Sequence, residues 1–407
     1  MTATANPVSA SPFAGIEQAP PDPILGLTEA FNADTNTNKV NLGVGVYQDG
    51  SGKVPVLKAV RDAEARWYSE ENSKSYLPID GVPAYNKQVQ ALLLGADSEL
   101  IAEGRAVTAE ALGGTGGLKV GADFLKRFFP SSTVYISNPS WENHRALFEA
   151  AGFTVETYRY YDAESHGLDF DGMIAALRSL PSRSIVVLHA CCHNPSGVDL
   201  NPEQWDVVVD LFQNSDLIPF LDFAYQGFGA GIDEDAYAVR AFAAAGIQCL
   251  ISNSFSKSFS LYRERVGALT ILTSSAEESK RVLSQVKRVI RTNYSNPPSH
   301  GGQVVALILG DASLRSLWES ELAEMRERIA RMRTLFVQSL ASKGVQQDFS
   351  FIEKQTGMFS FAGLPLEAVR KLRSEHSLYI VDSSRVCVAA LNENNMDYVC
   401  SAIAGVI

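Results

Sequence analysis

The chain has 407 residues, of which 46% are hydrophobic and 20% charged, and these values predict a soluble enzyme of roughly two to three domains. Its formal net charge of -11 argues against broad binding to nucleic acids or anionic membranes, because either would require a basic surface. The cysteines are odd in number and scattered, which predicts reduced thiols in a cytoplasmic protein; they are Cys191, Cys192, Cys249, Cys387 and Cys400.

The N-terminal segment, residues 1–24, is predicted to be a flexible arm. Its first 19 residues are rich in Ala, Ser and Pro and contain Glu17 but no Lys or Arg, which is wrong for a signal peptide or a mitochondrial presequence. No apolar run in the sequence reaches the length of a membrane-spanning helix. Beyond the arm, residues 22–31 are predicted to be helical and residues 40–47 extended.

A long central region alternates short apolar runs with amphipathic segments. The helix predicted after Gly117 carries apolar residues at helical spacing; they are Leu118, Ala122, Leu125 and Phe129. The strand candidates are residues 133–137, 184–189, 218–221, 249–252 and 268–272. This alternation predicts an α/β protein with a mostly parallel sheet covered by helices on both sides.

The C-terminal third has a different pattern. Residues 314–342 form a long helical pattern with many charges between the apolar positions, and its length suggests a helix that links two domains. After it, the strand candidates of a smaller α+β unit are residues 349–352, 359–361 and 379–381. We expect a small domain made of residues 25–54 and 326–407, and a large domain made of residues 55–325.

Polar residues follow several predicted strands, where open α/β sheets bind their ligands. Asp222 ends an apolar run, and a buried carboxylate needs a cationic partner, either a protonated ligand nitrogen or a structural Lys or Arg. Tyr225, three residues later, could reach the same ligand. Trp141 either stacks on a planar ring or packs in the core. Asn194 either donates its amide to a ligand oxygen or caps a turn.

A second group of residues is suited to an anion. The sequence Gly113-Gly114-Thr115-Gly116-Gly117 leads into the predicted helix and is either a phosphate-binding turn, with backbone N–H groups exposed at a helix N-terminus, or a plain turn. It lacks the G-x-G-x-x-G spacing of a dinucleotide fingerprint.

The segment from Ser254 to Gly267 carries the most chemical information. A lysine held by apolar packing, here Lys257, can lose its proton and form an imine with an aldehyde. The hydroxyls of Ser254 and Ser256 and the guanidinium of Arg265 are suited to holding a phosphate. Pyridoxal 5'-phosphate carries both an aldehyde and a phosphate; the alternative is a surface lysine in a serine-rich loop.

Two further arginines, Arg291 and Arg385, could each pair with a carboxylate of a substrate, although a lone arginine is usually a surface charge. The sequence Cys191-Cys192-His193 could suggest a metal site. Adjacent side chains in an extended segment face opposite ways, however, and no second Cys/His pair follows at zinc-finger spacing. We therefore expect no metal.

Taken together, these motifs resemble the class I aminotransferases of the aspartate and aromatic amino acid group, which are pyridoxal-phosphate enzymes of fold type I. The resemblance covers the chain from Asp22 to its end and is carried by Asn41-Leu42-Gly43-Val44-Gly45-Val46-Tyr47, Ser75-Tyr76-Leu77-Pro78, Gly114-Thr115-Gly116, Asn138-Pro139-Ser140-Trp141, Cys192-His193-Asn194-Pro195, Asp222-Phe223-Ala224-Tyr225, the Lys257 segment, Asn293-Tyr294-Ser295-Asn296-Pro297-Pro298 and Arg385. It implies a large domain with a mostly parallel seven-stranded sheet between helices, plus a smaller α+β domain.

The resemblance also implies roles for these residues. Lys257 would bind the cofactor covalently and move a proton at the substrate Cα, and Asp222 would pair with the pyridine nitrogen. The other cofactor-binding residues would be Gly114, Thr115, Trp141, Asn194, Tyr225, Ser254, Ser256, Arg265 and Tyr76 of the partner subunit. The substrate-binding residues would be Gly45, Trp141, Asn194, Phe359, Arg385 and Arg291 of the partner subunit. Such shared sites imply a homodimer.

The expected activity is transfer of the amino group of L-aspartate or of aromatic L-amino acids to 2-oxoglutarate, with ping-pong kinetics. A narrow aspartate aminotransferase is the alternative; a lyase, a decarboxylase or a catalytically silent binding protein is less favoured. Several segments resemble bacterial aromatic aminotransferases more closely, which favours dual specificity. The chain departs from the family pattern at Ser196, Ser377 and Ser384. Ser384 replaces a glycine and would be strained if its φ is positive.

Overall fold

The computed structural model describes residues 11–20, 24–71 and 73–407, so most of the predicted arm lies outside the described residues. The helices are α1 Leu25–Ala33, α2 Lys58–Glu70, α3 Pro83–Leu94, α4 Glu99–Ala102, α5 Gly113–Phe128, α6 Glu142–Ala150, α7 Phe170–Arg178, α8 Pro202–Gln213, α9 Tyr237–Ala244, α10 Ala276–Asn293, α11 His300–Gly310, α12 Ala312–Ser342, α13 Leu366–His376 and α14 Glu393–Ala404. Across this described part of the chain, no helix is both long and apolar enough to cross a membrane.

The strands form one large sheet and three two-stranded pairs. They are β1 Val40–Asn41, β2 Ala106–Leu112, β3 Thr133–Asn138, β4 Thr154–Arg159, β5 Tyr161–Asp162, β6 Gly167–Leu168, β7 Ile185–His189, β8 Ile218–Phe223, β9 Leu250–Ser254, β10 Val266–Leu272, β11 Phe359–Phe361, β12 Leu378–Tyr379 and β13 Arg385–Cys387. The large sheet has seven strands in the order β2-β10-β9-β8-β7-β3-β4.

This sheet is mostly parallel, as the alternating sequence pattern predicts. Only β10 runs antiparallel to its neighbours β2 and β9. Every residue of β7, β9 and β10 is buried, because helices cover both faces of a sheet of this kind. The parallel register sets Asp222 of β8 beside His189 of β7 and beside Ser252 of β9, so the polar ends of these strands meet at one edge.

Two of the three smaller pairs connect parts of the chain that are distant in sequence, whereas β5 and β6 form a local antiparallel pair. β1 pairs with β12 in parallel, and β11 pairs with β13 in antiparallel fashion. The long helix predicted over residues 314–342 is confirmed as α12. It begins after Asp311, whose carboxylate accepts hydrogen bonds from the backbone N–H groups of Ser313 and Leu314 and so caps the helix. Its buried side chains include Trp318 and Leu322.

Some predicted elements are wrong or displaced. Residues 349–352 form part of a 3-10 helix, Ser350–Lys354, rather than a strand. The predicted strand 379–381 is only Leu378–Tyr379. The glycines from Gly113 to Gly117 belong to the first turn of α5 rather than to a turn before it. The sequence pattern also missed β2 and β4, the edge strands of the large sheet.

Glu110 of β2 is a buried carboxylate, with only 2% of the residue exposed. Its Oε2 accepts a hydrogen bond of 3.0 Å from the backbone N–H of Val82, and no Lys, Arg or His of residues 11–20, 24–71 and 73–407 forms a salt bridge with it. Burial raises the pKa of Glu110 to about 7, although the backbone hydrogen bond favours the ionised form. The folded chain therefore keeps a proton that the unfolded chain releases at lower pH.

We predict that Glu110 lowers the free energy of unfolding as the pH rises from about 4.5 to about 7, by on the order of 3 kcal/mol. Glu110→Gln keeps an oxygen acceptor for Val82 and cannot ionise, so this variant should match the wild type near pH 5 and exceed it in stability near pH 8. Urea denaturation at the two pH values measures the difference. The exposed Glu156→Gln is the control, and identical pH profiles for Glu110→Gln and wild type would contradict the prediction.

Candidate active site

A cavity of about 900 Å³ lies at the carboxyl edge of the large sheet. It brings together nearly all the residues that the sequence singles out, which come from segments spread over more than 300 positions. The predicted residues that line it are Gly45, Gly114, Thr115, Trp141, Asn194, Asp222, Tyr225, Ser254, Ser256, Lys257, Arg265, Phe359 and Arg385. The position agrees with the general rule that ligands bind beyond the carboxyl ends of parallel strands.

Lys257 follows β9 and extends into this cavity. Its Nζ lies 4.7 Å from the centroid of the Tyr225 ring. Burial lowers the pKa of Lys257 to about 8, and the positive charges of Arg265 and Arg385 act in the same direction, while Asp222 opposes them. With this pKa, roughly a tenth of the amine is neutral at pH 7, and the neutral form is the one that attacks an aldehyde.

Asp222 lies within β8 rather than after it, and the structure gives it a partner that the sequence analysis missed. Its Oδ2 accepts a hydrogen bond of 2.8 Å from Nε2 of His144. With Nε2 donating, Nδ1 of His144 accepts the hydroxyl hydrogen of Ser140 at 2.8 Å. Burial opposes ionisation of Asp222, but the hydrogen bond from His144 and the nearby charge of Lys257 hold its pKa below the usual value. Asp222 is therefore a carboxylate.

The cavity contains a cluster of donors suited to a phosphate. Ser254 and Ser256 place their hydroxyls 3.2 Å apart, and Arg265 donates to Ser256 Oγ at 3.3 Å. Gly114 and Thr115 lie in the first turn of the 16-residue helix α5, where backbone N–H groups and the helix dipole favour an anion. A Cβ at Gly113 would lie 2.5 Å from Nη2 of Arg265, so glycine there leaves room for the guanidinium.

Arg385 is a second cationic group, and it is almost completely buried, with 1% of the residue exposed. Its Nη1 donates to Asn194 Oδ1 at 3.0 Å and its Nη2 donates to the carbonyl of Gly43 at 2.7 Å. Its guanidinium lies 4.2 Å from the centroid of the Phe359 ring. Within the described residues its Nε has no hydrogen-bond partner, and its closest carboxylate oxygen belongs to Glu142, 3.9 Å away.

A buried guanidinium that forms no hydrogen bond to a carboxylate is costly unless a ligand supplies a negative charge in direct contact. The arrangement around Arg385 is therefore suited to a substrate carboxylate. Gly45 keeps the space open on the substrate side, because a Cβ there would lie 2.6 Å from Cζ of Phe359.

Ser384, which replaces the glycine usual before this arginine, has a positive φ of 67°, so the expected strain is present. Its Oγ accepts a hydrogen bond from the backbone N–H of Leu364 at 2.8 Å, which offsets part of that cost. Arg385 still points into the cavity. Ser377 also has a positive φ, of 49°, at the end of α13.

Tyr76 and Arg291 do not line the cavity of their own chain. Tyr76 is 94% exposed. Arg291 lies on the surface near the end of α10 and donates to the Oγ of Ser295, four residues later.

The cavity also contains side chains that the sequence analysis did not select; they include His189, Glu142, Asn143 and Tyr262. His144 contacts Asp222 without lining the cavity itself. Burial lowers the pKa of His189 to about 3, helped by the neighbouring His144, so this imidazole is neutral. In the sequence, the only feature that could have drawn attention to His144 is its position three residues after Trp141, near the start of α6. That position does not reveal that its hydrogen-bond partner is Asp222.

Cys191 and Cys192 lie closer together in space than the sequence argument assumes. Their Sγ atoms and a carboxylate oxygen of Asp235 all lie within 4.8 Å of one another, because Cys192 has a φ of 52° and the chain is not extended there. Burial raises the pKa of both thiols, which disfavours the thiolates that a metal would need. The expectation of no metal stays a prediction.

The mostly parallel sheet, the buried lysine and the phosphate-type donors define a pyridoxal-phosphate enzyme of fold type I. The family model of aminotransferase class I and II matches residues 37–403, and the chain belongs to this family.

Individual relatives carry two kinds of name. The chain is 58% identical over 395 residues to an aspartate aminotransferase of Pseudomonas aeruginosa, covering 97% of this chain and 99% of that protein. It is 49% identical over 387 residues to an aromatic-amino-acid aminotransferase of Escherichia coli, covering 95% and 98%. A solved aromatic-amino-acid aminotransferase from Burkholderia pseudomallei, covalently bound to pyridoxal phosphate, is similar with a TM-score of 0.95 and 59% identity, covering 98% of this chain and 100% of that one.

We predict that the cofactor-free protein captures pyridoxal phosphate faster as the pH rises through about 8, because only the neutral amine of Lys257 attacks an aldehyde. Stopped-flow absorbance of the covalently bound cofactor across the pH range measures the midpoint. Lys257→Ala should lack this phase. A midpoint near the usual lysine value of 10.5 would show that the amine is not perturbed.

Proposed function

We propose that this aminotransferase moves the amino group of L-aspartate and of aromatic L-amino acids to 2-oxoglutarate, giving glutamate and the corresponding 2-oxo acid. One observation carries the proposal: the buried guanidinium of Arg385, which forms no hydrogen bond to a carboxylate and has Glu142 Oε2 only at 3.9 Å, shares one cavity with the amine of Lys257. The first is suited to the carboxylate of an amino acid and the second to proton transfer at its Cα.

Three residues would carry the chemistry. Lys257 would hold pyridoxal phosphate covalently and, once released by the substrate amine, take a proton at Nζ and return it. Asp222 would pair with the pyridine nitrogen, and Tyr225 with Asn194 would hold the phenolic oxygen. When bound, the cofactor supplies a ring that accepts the electron pair left at Cα after loss of its proton. Trp141 would stack on that ring.

The remaining residues would bind charges and orient the ligands. Ser254, Ser256, Arg265 and the first turn of α5 would hold the phosphate. Arg385 and Asn194 would hold the α-carboxylate, with Gly45 and Phe359 lining the substrate side. The donors fit a phosphate and a carboxylate in separate parts of one cavity, as an amino acid bound beside this cofactor requires.

We further propose a homodimer in which each site is completed by two residues of the other copy. Tyr76 of the partner subunit would reach the phosphate, and Arg291 of the partner subunit would bind the distal carboxylate of a dicarboxylic substrate. Their positions outside the cavity of their own chain support this assignment. We also propose the division into an arm at 1–24, a small domain at 25–54 with 326–407 and a large domain at 55–325, and a cytoplasmic location.

The names of the relatives support dual specificity. A relative at 58% identity is named an aspartate aminotransferase and one at 49% an aromatic-amino-acid aminotransferase. A narrow aspartate aminotransferase is the second candidate, favoured by the first of these names. Steady-state rates with aspartate, phenylalanine and tyrosine, using 2-oxoglutarate as the acceptor, distinguish the two.

We predict that the purified protein is yellow and that glutamate bleaches the absorption band of the bound cofactor, because the amino group is transferred to it. Reduction with borohydride followed by peptide mapping should place the label on Lys257. A label elsewhere, or an absorption band that glutamate leaves unchanged, would refute the proposed chemistry.

We predict that Arg291→Ala lowers kcat/KM for aspartate by about 10- to 100-fold, which corresponds to the loss of a charged hydrogen-bonding pair. Phenylalanine has no distal carboxylate, so its kcat/KM should change by less than about threefold. Arg288→Ala, on the exposed face of the same helix, is the matched control. Equal losses with both substrates would remove the assigned role of Arg291.

A further inference from the structure

Asn194 and Arg385, which contact each other in the cavity, are also linked through a second set of contacts behind it. Asn194 lies in the turn from Cys192 to Asp199. The carboxylate of Asp199 accepts hydrogen bonds from the backbone N–H groups of Cys192, at 2.7 Å, and His193, at 2.8 Å. Because both donors directly precede Asn194, the carboxylate closes this turn and fixes the backbone that carries the amide.

The same carboxylate reaches a distant segment. Oγ1 of Thr356 donates to Oδ2 of Asp199 at 2.5 Å, and the backbone N–H of Thr356 donates to the carbonyl of Gly197 at 2.7 Å. Asp199 and Thr356 are 157 positions apart. These two hydrogen bonds hold the Asn194 turn against the strand-forming segment that begins at Thr356.

Three residues after Thr356 comes Phe359, whose ring lies against Arg385. The backbone of this short segment is fixed from its other side by Arg333 of α12, which is 4% exposed. Nη2 of Arg333 donates to the carbonyls of Gly357, at 2.6 Å, and Phe359, at 3.0 Å. These contacts therefore form a continuous series from Asn194 through Asp199, Thr356 and Phe359 to Arg385, and Arg385 in turn donates a hydrogen bond to Asn194.

The two segments are in direct contact, with glycine on each side. A Cβ at Gly197, where φ is 70°, would lie 2.7 Å from the carbonyl oxygen of Phe359. A Cβ at Gly357, where φ is 76°, would lie 2.5 Å from Cβ of Cys192. With so little space between the segments, a change on one side displaces the other.

We propose that Asp199 and Thr356 are positioning residues for the substrate carboxylate, and that they act by fixing the Asn194 turn against the Phe359 segment so that Arg385 is held between them. This inference rests on the proposed function, in which Arg385 binds that carboxylate. Neither residue lines the cavity, so each acts through Asn194 and Phe359 rather than by touching the substrate. Lys257, Asp222 and the phosphate-type donors are not members of this set of contacts, although the ring of Phe359 also packs against that of Tyr225, with the ring centroids 6.2 Å apart.

The test compares Thr356→Val, which removes the hydroxyl and keeps the shape, with Thr356→Ser, which keeps the hydroxyl. Thr356→Val should raise KM for the amino donor and for 2-oxoglutarate about tenfold while kcat changes by less than about threefold, because carboxylate binding is weakened more than proton transfer. Thr356→Ser should restore KM to within about twofold of the wild type.

Thr108→Val is the matched control, since it removes a buried hydroxyl that bonds to Thr270 at 2.8 Å in the large sheet and should leave KM unchanged. If Thr356→Val does not fold, Thr356→Ala with the same measurements replaces it. Unchanged KM, or equal losses of kcat and kcat/KM that Thr356→Ser does not rescue, would overturn the positioning role. A wild-type enzyme without aminotransferase activity would instead refute the proposed function, so the two failures are distinguishable.

Discussion

The active site depends on a local excess of positive charge inside an acidic protein. The chain carries a net charge of -11, yet three cationic side chains, Lys257, Arg265 and Arg385, line one cavity that contains two carboxyl groups, Asp222 and Glu142. Mutual repulsion and burial make these cations unstable on their own, and they lower the pKa of Lys257. A phosphate and a carboxylate both neutralise these positive charges. Binding of the cofactor and binding of an amino acid are therefore favoured by the same electrostatic attraction.

The parallel sheet supplies the fixed framework for this charge arrangement. The register of the parallel strands places Asp222 between His189 and Ser252. Asp222 and His189, at the carboxyl ends of these buried strands, face the cavity. The opposite wall comes from the short β11–β13 pair, which contributes Phe359 and Arg385. The proposed carboxylate site therefore lies between these two walls, and the Asp199–Thr356 hydrogen bond lies where they meet.

Much of the fold and site could be predicted, for identifiable reasons. The central strands and α12 have strong apolar patterns. In contrast, β2 contains the buried Glu110, and β4 is an edge strand in which only Val155 and Tyr158 are buried, so neither has a simple apolar pattern. Residues 349–352 have the composition of a strand but no partner strand, and they form a 3-10 helix. His144 could not be assigned, because its partner Asp222 is 78 positions away.

The sequence by itself determined the groups that act locally: Ser254, Ser256, Lys257 and Arg265 lie within twelve residues, so chain connectivity keeps the amine near these three phosphate-type donors. Only the tertiary structure decided how distant groups combine. The hydrogen bond between Arg385 and Asn194 spans 191 positions, and the one between Asp199 and Thr356 spans 157. Such contacts follow from the packing of separate sheets and helices, which local periodicity does not encode.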